Sequence, residues 1–236
     1  MQKENILNAL KELRDNSTKK NFNQSIDLVI NLKDLDLKKP QNQVDIFAQI
    51  THAKTKPVKT CAIIGPELMD SAKENCNTVI TVDDFPEYQE NKRKLIKLAK
   101  EHDFFIAQAT IMPQIAKAFG RILGTRGKMP NPKAGCVVPP KANLKPLIEK
   151  LKKTIRLTAK TQLSIRATPG DEKMQDTQIA ENIINIYNSL VSALSQEDRS
   201  IKNILIKFTM SKPIEIKKWA KKQAKQEEER KKCLTA

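Results

Sequence analysis

Along this chain the hydrophobic period changes once and later changes back. From Ser25 to Leu32 apolar residues alternate, with Ile26, Leu28, Ile30 and Leu32 on one side and Asp27, Val29, Asn31 and Lys33 at the intervening positions. A period of two describes a strand buried on one face only. From Lys59 onward the texture differs. Short apolar runs at Thr60–Ile64, Thr78–Val82 and Phe104–Gln108 alternate with helical stretches at Glu67–Glu74, Lys92–Glu101 and Ile111–Phe119. Continuous apolar runs separated by helices describe a mainly parallel sheet covered on both faces. At Thr161–Thr168 the first texture returns, and Asn203–Thr209 repeats it with Ile204, Ile206 and Phe208. A chain that leaves one kind of sheet and comes back to it predicts a domain built from both chain ends, with a second domain inserted.

The remaining elements fit that division. Ile6, Leu7, Leu10 and Leu13 lie at helical spacing within residues 2–14, and a second strand is expected at Val44–Ile50. Pro169-Gly170-Asp171 reads as a turn, and Thr177–Leu194 as an amphipathic helix. Residues 120–143, rich in Gly, Pro and Lys, read as a loop before a helix at Leu144–Lys153. The expected fold class is α/β with an α+β first domain: a discontinuous split β-α-β domain over 1–58 and 154–213. Residues 59–153 form an inserted Rossmann-like three-layer α/β domain, and 214–236 a basic C-terminal tail.

Charge narrows the function. The chain carries 43 Lys and Arg against 27 Asp and Glu, a net charge of +16. Such a surface attracts polyanions, nucleic acid first and anionic membrane second. No apolar stretch approaches the roughly 20 residues that span a bilayer, and residues 1–15 lack a signal-peptide core. A cytoplasmic protein is therefore expected. The four cysteines, Cys61, Cys76, Cys136 and Cys233, include no C-x-x-C pair, and His52 and His102 are the two histidines. That leaves no expected metal site or cofactor and almost no material for a histidine-based triad.

Gly120-Arg-Ile-Leu-Gly124-Thr-Arg126-Gly127-Lys128-Met129-Pro130 invites a nucleotide-binding reading. A phosphate loop needs Gly five residues before the Gly-Lys pair and Ser or Thr after it; Ile122 and Met129 stand there. The stretch reads equally as a compact loop or as a glycine-rich approach to an RNA backbone. More telling are the polar ends of two strands of the discontinuous domain: Phe22, Gln24, Ser25 and Asp27 lead into one, and Lys207, Thr209 and Met210 end the other. As neighbours they gather an aromatic, hydroxyls, an amide, a carboxylate and a lysine. RNA offers bases that stack on Phe and 2′-hydroxyls that oxygen acceptors bind. Core packing for Phe22 and strand-end capping for Ser25 and Thr209 are equally good readings of these residues alone.

Asn21-Phe22-Asn23-Gln24-Ser25, Asn31-Leu32-Lys33-Asp34, Lys92-Arg93-Lys94-Leu95, His102-Asp103-Phe104-Phe105-Ile106-Ala107-Gln108, Ile122–Pro130 and Thr209-Met210 resemble the L-one family of large-subunit ribosomal proteins, in its archaeal form. The resemblance covers about residues 3–218. It implies a structural, non-enzymatic protein that binds rRNA at a mobile stalk near the exit site and helps release deacylated tRNA. It also implies repression of its own mRNA, contact with other large-subunit components, and a monomer away from the ribosome. RNA contacts implied by position are Phe22, Ser25, Asp27, Thr209 and Met210; Gln24, Lys207 and Ser211 beside them are expected to bind RNA as well. Arg126, Lys128 and Arg166 are secondary candidates. The family has Gly where Ser211 stands, and a more glycine-rich linker than Thr51–Pro57. The competing expectation, from the parallel-sheet texture, is an enzyme acting on a nucleotide or phosphosugar.

Overall fold

A computed structural model describes residues 2–18, 20–39, 42–140, 142–194 and 197–216. Beyond residue 216 the basic tail lies outside the described residues. The chain divides into two compact units, Met1–Thr55 with Ile155–Ala236, and Lys56–Thr154. In chain order, α1 (Lys3–Asp15), β1 (Ser25–Leu32) and β2 (Val44–Gln49) open the first unit. The second unit holds β3 (Thr60–Ile63), α2 (Met69–Asn75), β4 (Thr78–Ile80), α3 (Phe85–Glu90) and α4 (Lys92–Glu101). It continues with β5 (Phe104–Gln108), α5 (Met112–Thr125), β6 (Val137–Val138) and α6 (Leu144–Lys152). β7 (Thr154–Ala159), β8 (Ser164–Asp171), α7 (Asp176–Ala193), β9 (Ile201–Phe208) and β10 (Ile214–Glu215) complete the first.

In the first unit an antiparallel sheet runs β10-β9-β1-β8. Alternation decides its two faces. Ile26, Leu28 and Ile30 of β1 join Ile204, Ile206 and Phe208 of β9 in a core with Ile6, Leu10 and Leu13 of α1 and Ile179, Ile183 and Ile186 of α7. Each such side chain contributes about 1.5–3 kcal/mol by leaving water. The intervening residues, Asp27, Val29 and Asn31 with Leu205 and Lys207, stay half-buried on the other face. β2 and β7 form a separate two-stranded ladder. There the Arg156 guanidinium grips Asp45 with Nε and Nη2 at 3.0 and 2.9 Å, and Lys160 approaches the same carboxylate at 2.8 Å.

β8 corrects the expected turn at Pro169-Gly170-Asp171, which lies inside the strand. Ile26 pairs with Gly170 and Leu28 with Ala167, so Thr168 and Pro169 both oppose Asp27. This is a bulge on an edge strand, where a residue without an N–H does no harm. A Cβ at Gly170 would lie 2.9 Å from Met174 Sδ and 3.3 Å from Ile179 Cγ1, so the Met174 side chain would have to shift to admit one. The chain then doubles back through residues 172–176, clasped by Arg14 from the end of α1. Its guanidinium meets Asp176 Oδ1 and the carbonyls of Glu172 and Met174.

In the second unit a parallel sheet runs β4-β3-β5-β6. Cys61 and Ile63 pack with residues of α3, α4 and α5, while Ala62 and Ile106 are equally buried. Both faces are covered, which is why these strands read as unbroken apolar runs. The loop expected from Gly120 begins later, because Gly120 and Gly124 belong to α5. Ile115, Phe119 and Leu123, four residues apart, anchor that helix in the core, and their burial outweighs the roughly 1 kcal/mol that each glycine costs a helix.

Candidate nucleic-acid interface

β1 and β9 run antiparallel with Asp27 opposite Lys207 and Ile26 opposite Phe208. The start of one strand therefore meets the end of the other, and the two sequence-predicted groups, 184 residues apart in sequence at Ser25 and Thr209, come together. Their junction is bonded both ways. Thr209 N–H donates to Ser25 O at 3.1 Å, and Ser25 N–H donates to Thr209 Oγ1 at 3.2 Å. Thr209 Oγ1 returns its own proton to Ser25 O at 3.3 Å.

Past Thr209 the chain turns sharply. Ser211 Oγ accepts the Phe208 N–H at 2.8 Å and donates to Lys212 O, while Ser211 N–H donates to Phe208 O at 3.2 Å. Gln24 lies beneath this turn with 1% of its surface exposed, and its Oε1 accepts the Met210 N–H. Gln24 is itself pinned by Glu172, whose carboxylate accepts Gln24 N–H and whose N–H donates to Gln24 O. Gln24 thus supports the surface rather than forming it.

What the support presents is two large apolar side chains in solvent, Phe22 at 50% exposure and Met210 at 67%. Phe22 precedes β1 and Met210 follows β9, the two central strands of the sheet, so both stand at the end of the sheet where those strands meet. Beside Met210 opens a groove of about 390 Å³, lined by Leu13, Gln24, Ser211 and Ile214 among others. Asp27 is half-buried and accepts the Thr168 hydroxyl proton at 3.3 Å. Exposed Arg166 stands opposite Val29 on the same outward sheet face.

The profile of the Ribosomal protein L1p/L10e family matches residues 10–212. The chain is 41% identical over 218 residues to the large ribosomal subunit protein uL1 of Methanothermococcus thermolithotrophicus, covering 92% of this chain and 100% of the relative. The protein of the same name from Methanocaldococcus jannaschii is 39% identical, covering 92% and 97%. That from Pyrococcus abyssi is 38% identical, covering 91% and 96%. The chain belongs to the L1 family. It is a ribosomal protein and not an enzyme.

For an L1-family chain, the glycine-rich stretch of the second unit has a structural explanation. Gly127, at φ 65°, ends α5. Its N–H donates to Gly124 O and that of Lys128 to Leu123 O, the paired bonds of a Schellman cap. The Lys128 ammonium then lies on Ala99 O and His102 O, at 2.9 and 2.6 Å, satisfying carbonyls where α4 ends. Arg126 beside it is exposed. Buried His102 is also structural: Nδ1 meets Leu98 O, and Nε2 meets Thr78 Oγ1. Burial pushes the Cys61 thiol up to about 12 and the Cys136 thiol to about 11, so neither is a nucleophile at neutral pH. Among the described residues no cluster of three His, Cys, Asp or Glu is placed to hold a metal ion, and no helix is long and apolar enough to cross a membrane.

Sequence reasoning missed three residues that build this surface: Thr168, Asp171 and Glu172. The Pro-Gly between them signals a turn, and that signal conceals an edge strand reaching back to β1.

Proposed function

We propose that this chain is a structural constituent of the large ribosomal subunit that binds its rRNA through the strand-end surface formed by Phe22–Asp27 and Lys207–Ser211. In this reading Phe22 and Met210 stack on or wedge against unpaired bases. Ser25, Asp27 and Thr209 meet ribose hydroxyls, and Lys207 with the surrounding basic surface supplies salt-dependent affinity. The observation that carries it is the exposure of Phe22 and Met210 where the start of β1 meets the hydrogen-bonded turn after β9. Family membership supports the setting: a mobile rRNA stalk near the exit site, where the protein assists release of deacylated tRNA alongside other large-subunit components in the cytoplasm. An mRNA carrying a likeness of that rRNA site is bound in the same way and its translation repressed. Away from the ribosome the chain is a monomer.

Filter binding of the full chain to large-subunit rRNA across a salt series tests the reading. Log K should fall linearly with log[salt], with a slope of about −0.7 to −0.9 per phosphate neutralised. Phe22→Ala and Met210→Ala should each weaken binding by about 1–3 kcal/mol without changing the slope. Unchanged affinity in both variants would contradict the assignment.

A further inference from the structure

We infer that Asp171 is a positioning residue that sets the hydrogen-bond polarity of this interface. It makes Ser25 present an acceptor, so that the bound partner must supply a donor there, as a ribose 2′-hydroxyl does. The inference rests on the RNA-binding reading above and deepens it.

Asp171 is 3% exposed and stands opposite Ser25 in the β1–β8 ladder. Its Oδ2 accepts the backbone N–H of Thr55 at 3.1 Å, and its Oδ1 accepts the Ser25 hydroxyl proton at 3.3 Å. A backbone N–H cannot reverse its role, so the orientation of the carboxylate is set from that side. A serine hydroxyl has one proton and two lone pairs. With the proton directed inward, half-buried Ser25 offers lone pairs outward.

Its neighbours repeat the pattern. Thr209 Oγ1 gives its proton to Ser25 O, and the Asp27 carboxylate receives that of Thr168. Three adjacent oxygen groups, those of Ser25, Thr209 and Asp27, thus offer lone pairs and no proton. Phosphate oxygens are acceptors and find no partner there. A 2′-hydroxyl is a donor, and DNA lacks it. Phosphates are left to cations around this centre, with Lys207 opposite Asp27 and with Lys212 and Arg166 exposed.

Asp171→Asn reverses the polarity with little change of shape. The Thr55 N–H still requires oxygen, so the amide turns its Nδ2 toward Ser25 Oγ, and the serine proton is released outward. The test uses the full chain and the large-subunit rRNA fragment that it protects from nuclease. That fragment is resynthesised with single 2′-deoxyriboses placed in turn. The wild type should lose about three- to tenfold in affinity at one or a few riboses. Asp171→Asn should bind the all-ribose fragment about three- to tenfold more weakly and lose its sensitivity at one of those riboses. Ser25→Ala should lose sensitivity at the same ribose, and it carries the test if Asp171→Asn fails to fold. Variants that weaken but keep the whole wild-type pattern would overturn the inference, as would a wild type indifferent to every 2′-deoxy substitution. A wild type that binds no rRNA fragment overturns instead the RNA-binding reading on which it stands.

Discussion

Replacing Asp45 with Asn should destabilise the first unit in a way that disappears in acid. Asp45 sits on β2 and is held mainly by its hydrogen bonds to the Arg156 guanidinium on β7, with Lys160 adding to the effect, so its carboxyl is lowered from 3.8 to about 2. Its side chain is 23% exposed, so solvent screens the pair only in part. A lowering of this size corresponds to about 2 kcal/mol of folding free energy. Because the folded-state value is the depressed one, this stability is fully present above the unfolded value near 3.8. It is lost as pH falls through about 2, below which both states bind the proton. Urea unfolding followed by circular dichroism should therefore separate wild type from Asp45→Asn by about 2 kcal/mol at pH 6.5. The gap should narrow between pH 4 and pH 2. A double-mutant cycle with Arg156→Leu should return a coupling of about 1–3 kcal/mol at pH 6.5. An equal gap at pH 6.5 and pH 2.5 would rule out this origin, because the difference would then owe nothing to the carboxylate's charge.

Native protein treated with iodoacetamide at pH 7.5 should leave Cys61 and Cys136 unmodified, and both should react once urea unfolds the chain; mass spectrometry of the peptides reads this directly. Lys128→Met should lower stability by about 1.5–3 kcal/mol, by stranding carbonyls at the end of α4, while leaving rRNA affinity at moderate salt within about twofold, the scatter expected of a site outside the interface. Gly170→Ala should cost about 1–3 kcal/mol through overpacking against Met174 and Ile179, measured as a shift in the urea midpoint.

The parts of the fold that could be read from sequence are those where burial is one-sided or complete. β1 has a strict alternation of half-buried and buried residues, so its limits, Ser25 and Leu32, are visible as a period of two. The parallel strands are buried on both faces and appear as apolar runs. β7 was not anticipated: its burial lacks a clean alternation, and it starts two residues after α6 ends. β8 was displaced toward the N-terminus because Pro-Gly-Asp carries the chemistry of a turn, and only its pairing with β1 reveals a bulge. α5 runs past its expected end because two glycines cost less than three core side chains contribute.

The interface was legible as a set of residue types at two strand ends; that β1 and β9 are neighbours is settled only by their pairing, with Asp27 opposite Lys207. Its internal roles were not. Whether Phe22 is core or surface depends on what α1 and α7 leave uncovered. Gln24 and Ser25 differ in role because a side chain 146 residues away in sequence, Asp171, and a turn 186 residues away, at Met210, come to rest against them. Local sequence carries no trace of such partners.

Large-subunit rRNA should lie on the strand-end surface made by Phe22–Asp27 and Lys207–Ser211. Photo-crosslinking to 4-thiouridine-labelled rRNA, followed by mapping of the modified peptides, tests it most directly. Adducts should concentrate on the peptides containing Phe22 and Met210 and should diminish when unlabelled rRNA competes. Adducts confined to residues 56–154, with those two peptides unmodified, would contradict the account.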